Sequence, residues 1–349
     1  GMVNPPTFMY IKTFEETRKF ILEKTHINLF VEWGYLGMFS SFARVDSAMF
    51  MLDMNTSSAN STFIKLNDLY EMKRKDVLFK AYDDLLNEIS NDRVYTLPQS
   101  KLKGIKSYPF IYWISDEFRA KFGSDALDDV IYIRQGGATG NNERTLRFFW
   151  EIEPENISED SAIKKDYVFY PKGGPFNKWY GNNWVVIAYN NPDMYNYLKN
   201  HGNKLPSESF YLKEGVTYCS SGSRGCSFRY MPSNQVISGA GPGIYPSDKF
   251  SNIYYYLGFL NSKLSVYLLE CLNPTVNVTQ GDIKRIPFAM PKIELESVVS
   301  NHTKQNVMIK EALCKSSIVE PHYQNSPITP DKEANECLSN CYERENALL

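Results

Sequence analysis

The chain has 349 residues, is 43% hydrophobic and 22% charged, and carries a formal net charge of −2 at neutral pH. That length accommodates about two domains with sizeable cores. The composition excludes a disordered or disulfide-framework chain, and the charge excludes a globally basic nucleic-acid binder.

No apolar run approaches the roughly 18 residues of a membrane span. Cys219, Cys226, Cys271, Cys314, Cys337 and Cys341 form no C-x-x-C pair and the four histidines are isolated, so no zinc site is expected. Free thiols in a cytoplasmic protein are the expectation. Gly1 ahead of Met2 has the look of a tag-removal scar, which would make Met2 an internal residue of a longer protein. The middle of the chain is slightly basic and its tail acidic, which permits a polyanionic partner without requiring one.

Residues 1–62 alternate strand and helix. Thr13 is a candidate N-cap, with Glu16 completing a capping box, and Phe14, Phe20 and Ile21 form a helix face. Ile27–Val31 and Ala48–Leu52 have the β-branched and apolar character of strands. This resembles the closing end of an α/β domain and is too short to be a whole nucleotide-binding sheet. Asn4-Pro5-Pro6-Thr7 looks like the tetrapeptide of amino-methyltransferases, but Thr7 stands where that motif needs an aromatic. A strand end broken by two prolines is the reading kept, and no catalytic role is assigned.

Asn55–Thr62 reads as a Ser/Asn linker, and residues 63–107 as a helical connector with apolar positions at helical spacing over Leu66–Ile89. Lys101, Lys103 and Lys106, beside Tyr108 and Tyr112, fit either a phosphate contact or a solvated basic turn.

Residues 108–291 read as one mixed domain with three Gly-rich polar loops. The first is Ile131–Trp150, read as strand, loop and strand. Arg134, Gln135, Thr139, Asn141, Asn142 and Arg144 crowd it with donors and acceptors. A solvated hairpin and a ligand-facing loop are both compatible with it. The second, Lys172 to Asn182, interleaves Lys172 and Lys178 with Phe176, Trp179 and Tyr180. Lysines meet phosphate and bases stack on aromatic faces, so the combination has a physical rationale. The third, Gly215–Arg229, carries Ser220, Ser221, Ser223, Arg224 and Arg229. Val236–Tyr245 lacks the G-K-S/T ending of a phosphate loop and reads as tight strand-to-turn packing.

Tyr254–Leu272 reads as one helix with Leu257, Leu260, Leu264, Leu268 and Leu269 inward. Thr275, Asn277, Thr279 and Gln280 follow on a segment able to face a groove. Residues 292–349 read as a helical tail, with a helix over Leu295–Lys315 and a second, acidic one from Asp331.

Taken together, R-Q-G-G-A-T-G-N-N-E-R, Y-P-K-G-G-P-F-N-K-W-Y-G-N-N, G-V-T-Y with S-R beyond it, L-G-F-L-N-S-K-L and L-N-P-T-V-N-V-T-Q-G-D-I-K-R-I-P resemble, in this order, a known region. It is the target-recognition region of adenine-specific DNA methyltransferases of the BREX phage-defence and type IIG restriction-modification kind. The resemblance covers roughly residues 3–290, and V-N-P-P-T-F-M-Y-I-K-T-F-E-E-T-R resembles the segment that follows the catalytic motif there.

The resemblance implies an α+β chain: the last strands of a Rossmann-like methyltransferase sheet (1–62), a connector (63–107), a DNA target-recognition domain (108–291) and a tail (292–349). It implies N6-adenine methylation with S-adenosylmethionine by the complete protein. The cofactor loop and catalytic tetrapeptide would lie upstream, so this chain is expected to be inactive alone. Double-stranded DNA is the expected partner, with other defence proteins as further ones. Arg134, Gln135, Thr139, Asn141, Asn142, Arg144, Lys172, Lys178, Trp179, Ser223, Arg224, Asn277 and Gln280 are its candidate contacts. A protein-interaction module without DNA readout, an active methyltransferase and a carbohydrate-binding domain are the alternatives.

Overall fold

The computed structural model describes residues 1–35, 38–39, 45–55, 59–162, 164–201, 205–222 and 224–324. Among them the chain forms mixed α/β structure with sheets of five, four and three strands. It divides into two compact units: Gly1–Ala126 with Leu269–Thr275 and Arg285–Ala289, and Leu127–Leu268 with Val276–Lys284 and Met290 onward.

The first unit contains β1 (Met2–Asn4), α1 (Glu15–Lys24), β2 (His26–Tyr35), β3 (Asp46–Asp53), β4 (Asn60–Lys65), α2 (Glu71–Leu86), β5 (Val94–Pro98) and α3 (Asp116–Ala120). The strand order is β1-β3-β2-β4-β5. β2 is central, antiparallel to β3 and parallel to β4. It is buried on both faces, which is why it reads as a near-continuous apolar run rather than an alternating one. β1 pairs with β3 alone, so its outer edge carries unpaired backbone groups.

One face of this sheet is aromatic: Phe8, Phe30, Phe50, Phe63, Phe110 and Tyr112 pack together, with the Phe30 and Phe50 rings stacked at 5.5 Å. The other face packs Val31, Trp33, Ile64 and Leu66 against Ala81 of α2. There α2 leaves open an apolar groove of about 410 Å³, lined by Met2, Leu29, Met49, Met51, Leu78 and Phe79 among others.

Two buried polar centres fix the unit. Arg18 is fully buried; its Nη1 donates to the Phe8 and Ile11 carbonyls at 2.7 Å, and its Nε and Nη2 to the Ser107 carbonyl at 2.9 and 2.7 Å. Burial, reinforced by the Arg285 charge, lowers its pKa to about 10. Glu32, in mid-strand, accepts from Tyr10 Oη (3.0 Å) and Asn67 Nδ2 (2.7 Å) on Oε1, and from Tyr112 Oη (2.7 Å) on Oε2.

α1 differs from the expectation. A 3-10 turn over Lys12–Phe14 leads into it, Phe14 occupies the cap with no side-chain bond, and the Thr13/Glu16 capping box is not formed. Arg18, Ile21 and Leu22 make the inner face while Phe14 and Phe20 point outward. The guanidinium's four hydrogen bonds decide the helix's rotation. The expected linker gives way to β4 at Asn60, where the buried Ser61 hydroxyl donates to Gln99 Oε1.

The second unit contains β6 (Ile131–Arg134), α4 (Asn142–Thr145), β7 (Leu146–Phe148), β8 (Val168–Phe169), β9 (Val185–Ile187), α5 (Pro192–His201), β10 (Gly215–Tyr218), β11 (Phe228–Met231), β12 (Gly243–Pro246), α6 (Ile253–Asn261), α8 (Gln280–Lys284) and α9 (Ile293–Cys314); α7 (Lys263–Leu272) belongs to it up to Leu268 and to the first unit from Leu269. One sheet has the order β11-β10-β12-β6 and the other β7-β9-β8. Tyr170, Val185, Ile187, Met231, Ile237 and Tyr245 belong to one core cluster drawn from both.

The Ile131–Trp150 stretch is therefore not a hairpin. β6 pairs with β12 and β7 with β9, in different sheets. Gly215–Arg229 forms the β10–β11 pair, which places Arg229 inside a strand. The expected helix over 254–272 is broken at Ser262, whose Oγ accepts from the Ser265 amide. Leu257, Leu260, Leu268 and Leu269 are buried, but the break turns Leu264 out to solvent. α9 packs along α6. The second tail helix expected from Asp331 lies outside the described residues, as do Cys337 and Cys341.

Among the described residues no helix is long and apolar enough to cross a membrane. No group of three His, Cys, Asp or Glu among them is placed to hold a metal. Cys219, Cys226, Cys271 and Cys314 are buried cysteines outside any disulfide.

Candidate nucleic-acid interface

The first Gly-rich loop is pinned from beneath. The Gly136 amide donates to the Ser238 carbonyl at 3.2 Å, and the Gly137 carbonyl accepts from Tyr170 Oη at 2.7 Å. A Cβ on Gly136 would sit 1.7 Å from the Ile237 carbonyl oxygen, so only glycine allows this approach. With its floor fixed, the loop presents its polar residues in a defined array. Gln135 is exposed and its Nε2 touches the Gly239 carbonyl at 3.3 Å. Asn141 caps α4, its Oδ1 accepting from the Arg144 amide at 3.1 Å. Arg144 is exposed and lies 4.0 Å above the Tyr197 ring.

Asn142 joins this loop to the second. Its Oδ1 accepts from Thr139 Oγ1 at 2.5 Å and from Lys172 Nζ at 2.8 Å. Thr139 is itself buried, so its hydroxyl orients the Asn142 amide rather than facing solvent. Partial burial lowers the pKa of Lys172.

The second loop is organised on Phe176. Arg224 lies 5.0 Å and Lys178 5.9 Å from its ring. Lys178 donates to the Asn261 carbonyl at the end of α6 at 2.8 Å, and burial lowers its pKa. Trp179 has φ +76° and uses its backbone as a strand would, donating to Phe228 O and accepting from the Tyr230 amide. Arg134 ends β6 just before Gln135, its guanidinium 4.7 Å from the Phe210 ring and 5.2 Å from that of Tyr132.

Asn277 bridges to Ser221, and the Val278 amide donates to Ser220 O, so the 276–278 segment runs beside the third loop. Gln280 opens α8. Ser223 lies outside the described residues. The structure thus gathers Gln135, Thr139, Asn141, Asn142, Arg144 and Lys172 in one group, Lys178, Trp179 and Arg224 in a second, and Asn277 beside Ser221 in a third.

Sequence reasoning missed Phe176 and Tyr197 as platforms for cations, because an aromatic two or fifty residues away in sequence gives no sign of which charge it will carry. It also placed Arg229 on a flexible loop. That residue is 1% exposed, with Nη1 on Cys219 Sγ at 3.3 Å and no partner for Nε and Nη2. Of the basic cluster before the second domain, Lys101 is engaged by the Asp116 carboxylate, and Tyr112 is buried on Glu32. Asn4 is a β1 residue whose backbone pairs with Ala48.

The sequence is that of a protein related to adenine-specific methyltransferases. The adenine-specific methyltransferase PglX of Lacticaseibacillus casei (strain Zhang) is 28% identical over 278 residues, which is 73% of this chain and 21% of that protein. The adenine-specific methyltransferase BrxX of Escherichia coli O9:H4 (strain HS) is 26% identical over 297 residues, 82% of this chain and 23% of that one. The chain therefore spans less than a quarter of the length of these relatives. The fold is like that of the type IIL restriction-modification enzyme MmeI, solved in complex with DNA, with a TM-score of 0.52 at 10% identity over 99% of this chain and 45% of MmeI. No family model matches the sequence.

These relatives imply S-adenosylmethionine. Among the described residues of the first unit, the glycines are Gly1, Gly34, Gly104 and Gly123, and none forms a Gly-rich turn from a strand into a helix N-terminus. The described residues of the first unit do not fit that cofactor.

Proposed function

We propose that this chain is the DNA-recognition portion of an adenine-N6 DNA methyltransferase of phage defence or restriction-modification, reading a duplex site for an S-adenosylmethionine-dependent catalytic domain. The observation that carries the proposal is the Lys172–Asn142 hydrogen bond. It ties two Gly-rich loops into one surface bearing Gln135, Asn141, Arg144 and Lys172. In this reading Lys172, Arg144, Arg224 and Arg134 meet phosphate, while Gln135, Asn141 and Asn142 reach base edges. Trp179, Lys178 and Thr139 brace the loops.

In the first unit β1–β3 would be the closing strands of a Rossmann-like methyltransferase sheet. The unpaired edge of β1 and the adjoining apolar groove support that role, since both are surfaces a continuing sheet and its helix would cover.

Duplex binding is expected to fall steeply with salt. Arg144→Ala is expected to weaken specific and scrambled duplexes alike. Gln135→Ala is expected to relax one base position, at about 1–3 kcal/mol. Gel-shift titrations of both variants on both duplexes check this; equal losses for Gln135→Ala on the two DNAs would remove it as a base reader.

A second reading, a protein-interaction module, is favoured by one patch. Phe148 and Trp150 are stacked at 4.6 Å and half-exposed, beside exposed Glu151, Glu153 and Glu155. That acidic, aromatic surface repels phosphate, and salt-insensitive binding without DNA would favour it.

A further inference from the structure

We propose that Glu320, beyond the end of α9, is a positioning residue that sets the shape of the second Gly-rich loop, so that docking of the tail governs how that loop is presented. This rests on the DNA-reading assignment for the loop's role, but not for the contact itself.

After Cys314 the chain turns back in short steps. The Ser317 amide donates to Cys314 O, the Glu320 amide to Ser317 O, and the Gln324 amide to Lys315 O. These turns bury Glu320 to 5% exposure. Its Oε1 accepts from the Asn182 amide at 2.7 Å and its Oε2 from the Asn183 amide at 3.3 Å. Gly181 and Asn182 are both left-handed, at φ +110° and +62°. Successive amides turned to one side make a concavity for an anion, and here the anion is a side chain of the same chain.

The contact is transmitted through Asn182. While its backbone is held by Glu320, its Nδ2 donates to the Gly173 carbonyl at 3.2 Å and the Pro175 carbonyl at 3.0 Å. Those carbonyls lie in the short run of chain between Lys172 and Phe176. The path from tail to candidate DNA surface is therefore Glu320, Asn182, the 173–175 backbone, then Lys172 and Phe176. Gly181 seals the joint, because a Cβ there would meet Asn177 Nδ2 at 2.5 Å, Cys314 Sγ at 3.1 Å and Glu320 Oε1 at 3.3 Å.

Lys310 of α9 and Arg229 of β11 act on Glu320 by charge, and Tyr180 and Cys314 adjoin it. Burial raises its pKa, and the two amides oppose that rise.

The test uses the full chain with Glu320→Gln and Glu320→Ala, read by amide exchange and by duplex affinity. Protection of the Asn182 and Asn183 amides is expected to fall about tenfold or more in Glu320→Ala and less in Glu320→Gln. The β10 and β11 amides should keep theirs, which reports that the unit is folded. Duplex affinity is expected to fall in parallel on every sequence. In the parent chain, because burial raises the Glu320 pKa, protection of the same two amides should hold on acidification and fall as pH rises through the docked value, a pH dependence absent from Glu320→Gln. Unchanged protection of Asn182 and Asn183 in a folded Glu320→Ala would overturn the proposal. Lost protection with unchanged duplex affinity would overturn the link from tail to binding. A parent chain that binds no duplex would sink the DNA assignment instead, while the exchange result still decides the role of Glu320.

Discussion

Gly136→Ala is expected to destabilise the second unit by about 3 kcal/mol, the upper part of the range for overpacking, and to abolish sequence-selective duplex binding. The added methyl would lie 1.7 Å from the Ile237 carbonyl oxygen. That oxygen belongs to backbone, so no rotamer change relieves the clash. Either the loop lifts or the 237–238 segment moves, and both break the Gly136–Ser238 hydrogen bond. The same displacement carries away Gln135, whose amide rests on Gly239 O, and the Thr139–Asn142 pair that receives Lys172. Urea titration of the variant measures the stability. A folded Gly136→Ala chain that keeps its preference for one duplex over a scrambled one would show that loop position does not govern reading.

Glu32→Leu is expected to cost the first unit roughly 3 kcal/mol or more, and Glu32→Gln much less. Leucine strands the hydroxyls of Tyr10 and Tyr112 and the amide of Asn67, three buried or half-buried donors at about 1–3 kcal/mol each. Glutamine keeps an acceptor for Tyr10 and Asn67, and the Tyr112 hydroxyl can rotate to accept from the new amide. The two variants also differ from the parent in pH response. Burial raises the Glu32 pKa above its ordinary 4.5. Between the unfolded and folded values the folded chain holds a proton that the unfolded chain has lost. Stability from this group is thus fully present below 4.5 and falls as pH rises toward the folded value. Urea midpoints across mildly acidic pH should show this slope in the parent and not in Glu32→Gln. Equal slopes would place the carboxylate in a solvated environment.

How far the sequence disclosed these features depends on which force decides each one. β2 and β3 were visible because burial on a sheet writes itself into apolar and β-branched composition. The sheet change inside Ile131–Trp150 was not. Strand, Gly-rich loop and strand look the same whether the two strands pair or part, and the decision is made by Ile237 and Ser238, a hundred residues on. Ser262 interrupts a helix that hydrophobic spacing alone would continue, and Leu264 is exposed as a result. The basic residues divide in the same way. A lysine beside aromatics has one composition whether its ammonium ends on a ligand or, as with Lys178, on the carbonyl of Asn261. The polar run Gln135 to Arg144 was legible as a group because its residues are consecutive. The bond from Lys172 that completes it was not, since it joins loops thirty residues apart.

The first unit is assembled from three separated lengths of chain, the last of them Arg285–Ala289. On a ribosome emitting residues one at a time from the N-terminus, this unit stays incomplete until nearly the whole described chain has emerged. The second unit is likewise drawn from three lengths, and its last, from Met290 onward, follows the last piece of the first. A protein cut after Ala126 would leave the aromatic face of β2 and β3 without the Leu269–Thr275 and Arg285–Ala289 pieces of its own unit. Synthesis order, and not only the finished contacts, therefore leaves the β1–β5 sheet without part of its own unit until Ala289 has emerged.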